Sequence, residues 1–198
     1  MSKGTATRQA VLDEAARVAS RVGLGGLTIG SLAAATQLSK SGLFAHFQSK
    51  ESLQLQLLDH TRARFIDLVV RPALAAPRGE PRLRELFRRW LAWDADALPG
   101  GCLFVAASAE FDAQPGPVRD RLAQDQRDWM DTIAQVFRTG IAEGQFRPDA
   151  DPEQFAYELH GTMLAYHHAS RLLGDPEAAA RATRAFEGLL SAARHPAS

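Results

Sequence analysis

Apolar residues recur every three or four positions over most of the chain, a spacing that predicts helices rather than strands. Stretches rich in glycine or proline separate the periodic segments at residues 23–26, 72–81 and 99–101. The pattern therefore predicts an all-α protein of about nine helices. Two are short and lie within 28–50, and the others are predicted at 5–22, 51–71, 82–98, 102–113, 118–143, 151–173 and 175–194.

The stretch from 28 to 50, TIGSLAAATQLSKSGLFAHFQSK, is the most informative part of the pattern. Thr28 and Ser39 are natural N-caps, because a side-chain hydroxyl can accept a backbone N–H that has no partner inside the helix. In the second short helix Leu43 and Phe47 are four residues apart and face inward. The outer face then carries Lys40, Ser41, Phe44 and His46. Because the DNA major groove admits a single α-helix, this arrangement predicts a helix-turn-helix.

The same stretch resembles the DNA-binding domain of TetR-type transcriptional repressors. The matching positions are Thr28, Leu32, Ala33, Leu38, Ser39, Leu43, Phe44, His46, Phe47, Lys50 and Leu53. Gln37 stands where the family usually has glycine at the turn, and Phe44 replaces the usual tyrosine, whose hydroxyl can bond a phosphate. With the first helix, the resemblance covers about 50 residues, and the rest of the chain matches in helical layout, length and the segment Gly-Gly-Cys-Leu-Phe at 100–104.

This resemblance implies a near-palindromic operator of double-stranded DNA as a partner. Lys40 and Ser41 are expected at base edges and phosphates, and Phe44 against sugar or a thymine methyl. His46 and Lys50 are expected to hold phosphates. The full set of predicted DNA-binding residues is Arg8, Thr28, Ser39, Lys40, Ser41, Phe44, His46 and Lys50. The predicted domains are a DNA-binding domain at 1–50 and an effector-binding and dimerisation domain at 51–198.

Aromatic side chains are concentrated in the middle of the chain. For any single one, ordinary core packing is the simpler interpretation, but the resemblance implies a pocket for a small apolar or aromatic effector. The predicted pocket residues are Trp90, Phe104, Ser108, Trp129, Phe137, Met163 and His167.

Small residues spaced four apart on the penultimate helix predict close approach of another helix. The last helix is similarly smooth, and the two helices could form a four-helix bundle with a second copy, giving a homodimer. Packing within one chain is the alternative. The predicted interface residues are Gly161, Ala165, Ala169, Ala182, Phe186 and Leu189.

Composition adds charge asymmetry to this picture. The first 50 residues carry six basic and two acidic side chains, whereas residues 51–198 carry 17 and 21. A basic head of net charge +4 on a body of −4 is consistent with one end meeting a polyanion. A single cysteine excludes an internal disulfide framework and favours the cytoplasm. No apolar leader and no apolar run of membrane-spanning length is present in the sequence, so neither secretion nor membrane insertion is expected.

Other function classes find little support in the sequence. No phosphate-binding loop, nucleophile elbow or triad is present, so an enzyme is not expected, nor is a cofactor. His160, His167 and His168 lack further ligands at metal-site spacing, so a metal is not expected. Cys102, next to a helix N-terminus, could sense electrophiles or oxidants, but an inert buried thiol is the simpler interpretation. The predicted function is a ligand-responsive transcriptional regulator, most often a repressor in this family. A helical ligand-binding or interaction module that does not read DNA is the alternative.

Overall fold

A computed structural model describes residues 3–194, with side chains from residue 8 onward. These residues form nine continuous helices and no strand, which confirms the predicted all-α fold. The helices are α1 (Lys3–Val22), α2 (Ile29–Thr36), α3 (Lys40–Phe47), α4 (50–74), α5 (80–97), α6 (Leu103–Phe111), α7 (Pro117–Ala142), α8 (Pro152–Arg171) and α9 (Ala178–Ala193). No helix of the described residues combines the length and apolarity required to cross a membrane.

Helix α4 continues past the point where the sequence predicts its end. That end was expected near Arg71, but Lys50–Phe65 passes into a π-helical turn, Ile66–Val70, and then into Arg71–Leu74. A proline at position 72 has no N–H, and its ring clashes with the carbonyl of Leu68 in a regular α-helix. The wider turn accommodates the ring, and the Leu68 carbonyl accepts a hydrogen bond from Arg89 Nη1 at 3.2 Å. Helix α5 likewise passes from Glu80–Ala92 into a π-helical turn, Trp93–Ala97.

The chain forms two compact units. The first unit contains the chain up to Arg64 together with Ala95–Asp125, and the second contains Phe65–Asp94 together with the chain from Gln126 onward. This division differs from the predicted boundary at residue 50, because the first turns of α4 and the whole of α6 group with the N-terminal helices. Helices α4, α5 and α7 each contribute residues to both units.

Each unit has its own apolar core. The first unit fully buries leucines and one phenylalanine contributed by α2, α3, α4 and the loop before α2: Leu24, Leu27, Leu32, Leu43, Phe47, Leu53, Leu57 and Leu58. Each such side chain contributes about 2 kcal/mol through burial. In the second unit, Phe137 stacks on Phe146 at 4.5 Å and on Phe155 at 4.2 Å, and Phe87 stacks on Phe186 at 4.4 Å. Phe137 is therefore a core residue.

Candidate nucleic-acid interface

The N-terminus of α2 is closed by a capping box. Thr28 has extended backbone angles (φ −131°, ψ 158°), and its Oγ1 accepts a hydrogen bond from the Ser31 N–H at 3.0 Å. The Ser31 hydroxyl in turn accepts one from the Thr28 N–H at 3.0 Å. Two backbone donors that have no partner inside the helix are thereby satisfied, which fixes where α2 begins. Thr28 is the N-cap that the sequence predicts.

The turn between α2 and α3 has a left-handed residue where the family usually has glycine. Gln37 adopts φ 58° and ψ 20°, a region that a side chain with a Cβ occupies only at some energetic cost. Two residues later Ser39 caps α3, and its Oγ accepts the Gly42 N–H at 3.1 Å. The Ser39 and Ser41 hydroxyls are 3.2 Å apart and hydrogen-bond to each other. The turn therefore keeps the geometry of a helix-turn-helix without the glycine.

Helix α3 has two chemically different faces. Leu43 and Phe47 are fully buried, whereas Phe44 is 57% exposed. The other predicted DNA-binding side chains of α3 are also exposed: Lys40, Ser41 and His46. The buried pair anchors the helix to the core of the first unit, and the outer face presents one aromatic ring among hydrogen-bonding groups.

Glu110 of α6 clamps the loop between α1 and α2. Its carboxylate accepts the Leu24 N–H at 2.8 Å and the Gly25 N–H at 2.7 Å. Gln54 of α4 donates to the Leu24 carbonyl at 2.9 Å, and the Lys50 ammonium donates to the Gly25 carbonyl. These bonds connect α4 and α6 to the backbone that sets the position of α2. Sequence reasoning missed Glu110, whose only signal was a carboxylate on an otherwise apolar helix.

Close backbone packing reinforces this clamp. A Cβ on Gly25 would lie 2.4 Å from Glu110 Oε1, and a Cβ on Gly100 would lie 1.6 Å from the Ser20 carbonyl oxygen. The Gly100 N–H also donates to Ser20 Oγ at 3.2 Å. The loop that precedes α6 thus contacts the end of α1 at a position where only glycine fits.

The predicted phosphate-contacting cations differ in whether they already hydrogen-bond within the protein. Arg8 donates to Gln56 Oε1 at 2.5 Å, and Lys50 bonds the Gly25 carbonyl. Lys40 is exposed, and its Nζ lies 4.0 Å from the position that a Cβ on Gly30 would take. This places the Lys40 ammonium beside the N-terminal turn of α2, where the helix dipole is also positive.

The predicted effector residues divide between the units. Phe104 and Ser108 belong to the first unit, where Ser108 Oγ donates to the Phe104 carbonyl at 2.7 Å. The second unit contains Trp90, Trp129, Phe137, Met163 and His167. Cys102, the candidate sensor, is only 2% exposed.

The predicted interface residues differ in exposure. Gly161 and Ala165 are exposed, and Ala169 and Leu189 are half-buried. Ala182 and Phe186 are buried within the protomer, where 5% and 2% of their surfaces are exposed.

Comparisons with known proteins cover both ends of this chain. Residues 11–57 match the family model described as bacterial regulatory proteins, tetR family, and residues 79–186 match the one described as tetracyclin repressor-like, C-terminal domain. The HTH-type transcriptional repressor KstR2 of Mycobacterium tuberculosis is 28% identical over 150 residues, which are 73% of this chain and 71% of that protein. A TetR transcriptional regulator from Chloroflexus aurantiacus is 28% identical with a TM-score of 0.81 over 96% of both chains. A solved structure of AibR in complex with isovaleryl coenzyme A and operator DNA is 21% identical, with a TM-score of 0.71 over 96% of this chain and 98% of that one.

Proposed function

This chain belongs to the TetR family of transcriptional regulators, and on that premise we propose that it is a homodimeric repressor released from its operator by a small apolar or aromatic effector. It would act in the cytoplasm, where such an operator lies. The observation that carries the proposal is the outer face of α3, where exposed basic, hydroxyl and aromatic groups surround a helix anchored by Leu43 and Phe47.

In the proposed complex, α3 enters the major groove. Lys40 and Ser41 contact base edges, and the exposed ring of Phe44 lies against sugar or a thymine methyl. The remaining contacts are made to the DNA backbone, and they fix register without reading sequence. They come from Arg8, Thr28, Ser39, His46 and Lys50. The position of the Lys40 ammonium beside the positive end of α2 supports this role. A phosphate bound there would be attracted both by the ammonium group and by the helix dipole.

Two reading heads require a dimer, which we place on an exposed face of α8 and α9. Along α8 an exposed stripe joins Gly161 and Ala165 to large apolar side chains, since Tyr157 is 68% and Leu164 39% exposed, and Leu172, directly after the helix, is 72% exposed. Exposed apolar groups of this size on one helix face are typical of a protein interface. Ala169 and Leu189 lie at its half-buried edge. The dimer would present its two α3 helices about 34–36 Å apart.

Effector control is proposed to act through α4. The helix begins directly after α3, and Lys50 and Gln54 at its start hold the α1–α2 loop. In one conformation of the proposed dimer the two heads would not fit the operator. An effector that binds this conformation preferentially would shift the equilibrium toward it, with a coupling free energy of about 1–3 kcal/mol. The complex of AibR with both an acyl coenzyme A and operator DNA supports the idea that this fold can hold a ligand and DNA.

The test begins with selection of bound duplexes from a random DNA pool at about 150 mM salt, where phosphate attraction is partly screened. We expect a near-palindrome with half-sites about one helical turn apart. With that operator, Lys40→Ala should weaken binding and relax sequence preference, because a good base contact discriminates by about 1–3 kcal/mol. The matched control is Arg78→Ala, which removes one exposed cation whose nearest carboxylate, that of Glu143, is 3.7 Å away.

Amine labelling gives an independent measurement on the unaltered protein. The sequence has lysines only at positions 3, 40 and 50, so an amine reagent reports on the head alone. Operator should protect Lys40 from labelling. If the selection enriches no sequence with folded protein, the helical module that does not read DNA becomes the better interpretation. If it succeeds but Lys40→Ala changes neither affinity nor preference, the reading helix is assigned wrongly.

A further inference from the structure

Three aromatic rings of the second unit form a cluster in which Phe65 is flanked by Trp93 and Trp129. The ring centroids of Phe65 and Trp93 are 5.4 Å apart with an interplanar angle of 82°, and those of Phe65 and Trp129 are 5.1 Å apart at 85°. Both indoles are buried, with 4% of Trp93 and 8% of Trp129 exposed. Two edge-to-face contacts on one phenyl ring account for the packing of the rings, but they leave the indole N–H groups to be explained.

Neither indole N–H has a hydrogen-bond acceptor in the part of the chain that the structure describes. A buried donor without an acceptor is destabilising, and native proteins contain few of them. An isolated water molecule is a poor solution, because buried waters need two to four polar partners and each indole offers a single donor. Two such donors beside one phenyl ring therefore indicate a molecule that brings its own acceptors.

The helices are irregular at this cluster. Phe65 immediately precedes the π-helical turn Ile66–Val70, and Trp93 is the first residue of the π-helical turn Trp93–Ala97. Single π-helical turns inside α-helices are rare and are frequent at functional sites. Pro72 lies two residues after the first turn and Pro99 lies two residues after the second, so in each case a proline ring faces a carbonyl of the turn, that of Leu68 or of Ala95.

A buried ionic group next to Trp93 defines the charge that a ligand would meet. Asp94 is fully buried, and His167 Nδ1 lies 2.6 Å from its Oδ1. Arg171 donates to the Asp94 backbone carbonyl, and its Nε is 3.7 Å from Oδ2. The carboxylate is thus compensated by groups of the same unit, so no counter-ion has to come from a ligand.

We infer that the cluster of Phe65, Trp93 and Trp129 is the effector site, and that it takes a neutral, flat ring system with two acceptor oxygens of the ketone, ether or ester type. This inference rests on the proposed function for the existence of an effector, and it adds the chemical class. The rings supply apolar contact, and each indole N–H donates to one ligand oxygen. Cationic amines are disfavoured, because the cluster offers donors and an ammonium group has no acceptor.

Isothermal titration calorimetry on the free protein compares 4-chromanone, which carries a ketone and an ether oxygen, with tetralin, which has a similar bicyclic skeleton and no acceptor. We expect 4-chromanone to bind at least tenfold more tightly, since each hydrogen bond gained by a buried donor favours binding by about fivefold. Trp93→Phe and Trp129→Phe keep a ring and remove the N–H, so each should reduce that preference by about fivefold while leaving tetralin affinity within twofold.

The matched control is Tyr166→Phe, which also keeps a ring and removes one polar hydrogen. Tyr166 is buried in the same unit, with 8% exposed as in Trp129, but its ring lies against Trp90, at 6.2 Å, outside the cluster. It should leave the preference unchanged. Equal affinity for the two probes, no binding of either, or equal losses in all three variants would overturn the inference.

The three indole N–H resonances in the NMR spectrum of the unaltered, ¹⁵N-labelled protein provide a measurement that does not depend on the variants folding. On addition of 4-chromanone, two resonances should move downfield and the third should stay. Fewer than two downfield shifts would overturn the inference. Neither measurement involves DNA, so a protein that binds 4-chromanone but no operator contradicts the proposed function alone. A protein that binds operator but not 4-chromanone contradicts this inference alone.

Discussion

In the first unit the backbone groups of Leu24 and Gly25 in the α1–α2 loop are bonded within the protomer, whereas α3 exposes the donors of Lys40, Ser41 and His46 to solvent. In the second unit, by contrast, the indole donors of Trp93 and Trp129 are buried against Phe65. The first unit thus presents the donors of α3 on its surface, whereas the second unit holds the two indole donors in an apolar interior.

This difference corresponds to two kinds of partner. Exposed cations and hydroxyls are solvated in the free protein, so a polyanion binds them by displacing counter-ions, and its affinity depends strongly on salt. Buried donors are already desolvated, so a small ligand that supplies acceptors meets little competition from water. We therefore expect binding at α3 to weaken steeply with salt, and binding at the Phe65 cluster to be nearly independent of it.

The largest effect should come from adding a methyl group where α1 meets the loop before α6. In Gly100→Ala the new Cβ would lie 1.6 Å from the Ser20 carbonyl oxygen, which is backbone and cannot rotate away. We expect destabilisation by about 3 kcal/mol, a fall of about 6–12 °C in Tm. Thermal unfolding followed by circular dichroism measures it. Gly30→Ala is the matched control, since its Cβ has no neighbour closer than 3.6 Å and should not destabilise.

A smaller loss is expected from removing the charge of the loop clamp. Glu110→Gln keeps one acceptor oxygen but turns an NH₂ group toward one of the two backbone donors, Leu24 or Gly25. A lost hydrogen bond to a charged group destabilises by about 2 kcal/mol. Hydrogen exchange should quicken at these two amides, and operator affinity should fall with it. Asp120→Asn is the control, because that side chain is 76% exposed and 3.9 Å from Arg119. Unchanged exchange at both amides would show that the clamp does not order the loop.

The helix-turn-helix and the Phe65 cluster were not equally predictable from the sequence. Thr28, Ser39, Leu43 and Phe47 act within one or two turns of chain, so their spacing alone predicted caps and buried positions that the structure confirms. The contact between Glu110 and Leu24 joins residues 86 positions apart.

The second unit shows why long-range chemistry escapes such analysis. Asp94 and His167 are 73 positions apart, and no local pattern reports that they meet. Trp129 was predicted as a pocket residue from its aromatic character. Its place beside Phe65, and the π-helical turn that follows Phe65, depend on tertiary packing and on the response of a helix to Pro72.

On the surface of the second unit, unlike at the indoles of its interior, the polar side chains of an ion-pair network bond one another. Removing one charge of this network tests how much it stabilises the unit. Glu80 accepts from Arg194 Nε at 3.0 Å and from Arg84 Nε at 2.8 Å, and Arg84 also bonds Glu187. Glu80→Gln should destabilise by about 1 kcal/mol, at the upper end for a partly exposed pair. Urea unfolding measures the loss. Glu143→Gln, whose carboxylate is 3.7 Å from Arg78, should change little.

The same network gives this prediction a pH dependence. Hydrogen bonding by Arg194, aided by Arg84 and opposed by burial, holds the pKa of Glu80 below its ordinary value of 4.5. Because the folded-state pKa is the lower one, the stabilisation is complete above pH 4.5 and is lost as the pH falls through the folded-state value. The difference between the unaltered protein and Glu80→Gln should therefore be larger at pH 7 than at pH 4. A difference that grows on acidification would contradict this sign.

The smallest effect is expected at the turn of the helix-turn-helix. Gln37→Gly removes the Cβ from a residue at φ 58°, which relieves strain in the folded state but gives the unfolded chain more freedom. These terms oppose each other, so we expect a net gain of only about 0.5 kcal/mol, best resolved by urea unfolding. Gln37→Ala keeps the Cβ and so should give no gain. If the glycine variant were no more stable than the alanine variant, the strain relieved at the turn would not exceed the cost of the freedom that glycine gives the unfolded chain. A gain in stability with unchanged operator affinity would show that α3 is held by its buried anchors, Leu43 and Phe47, and not by the residue at the turn.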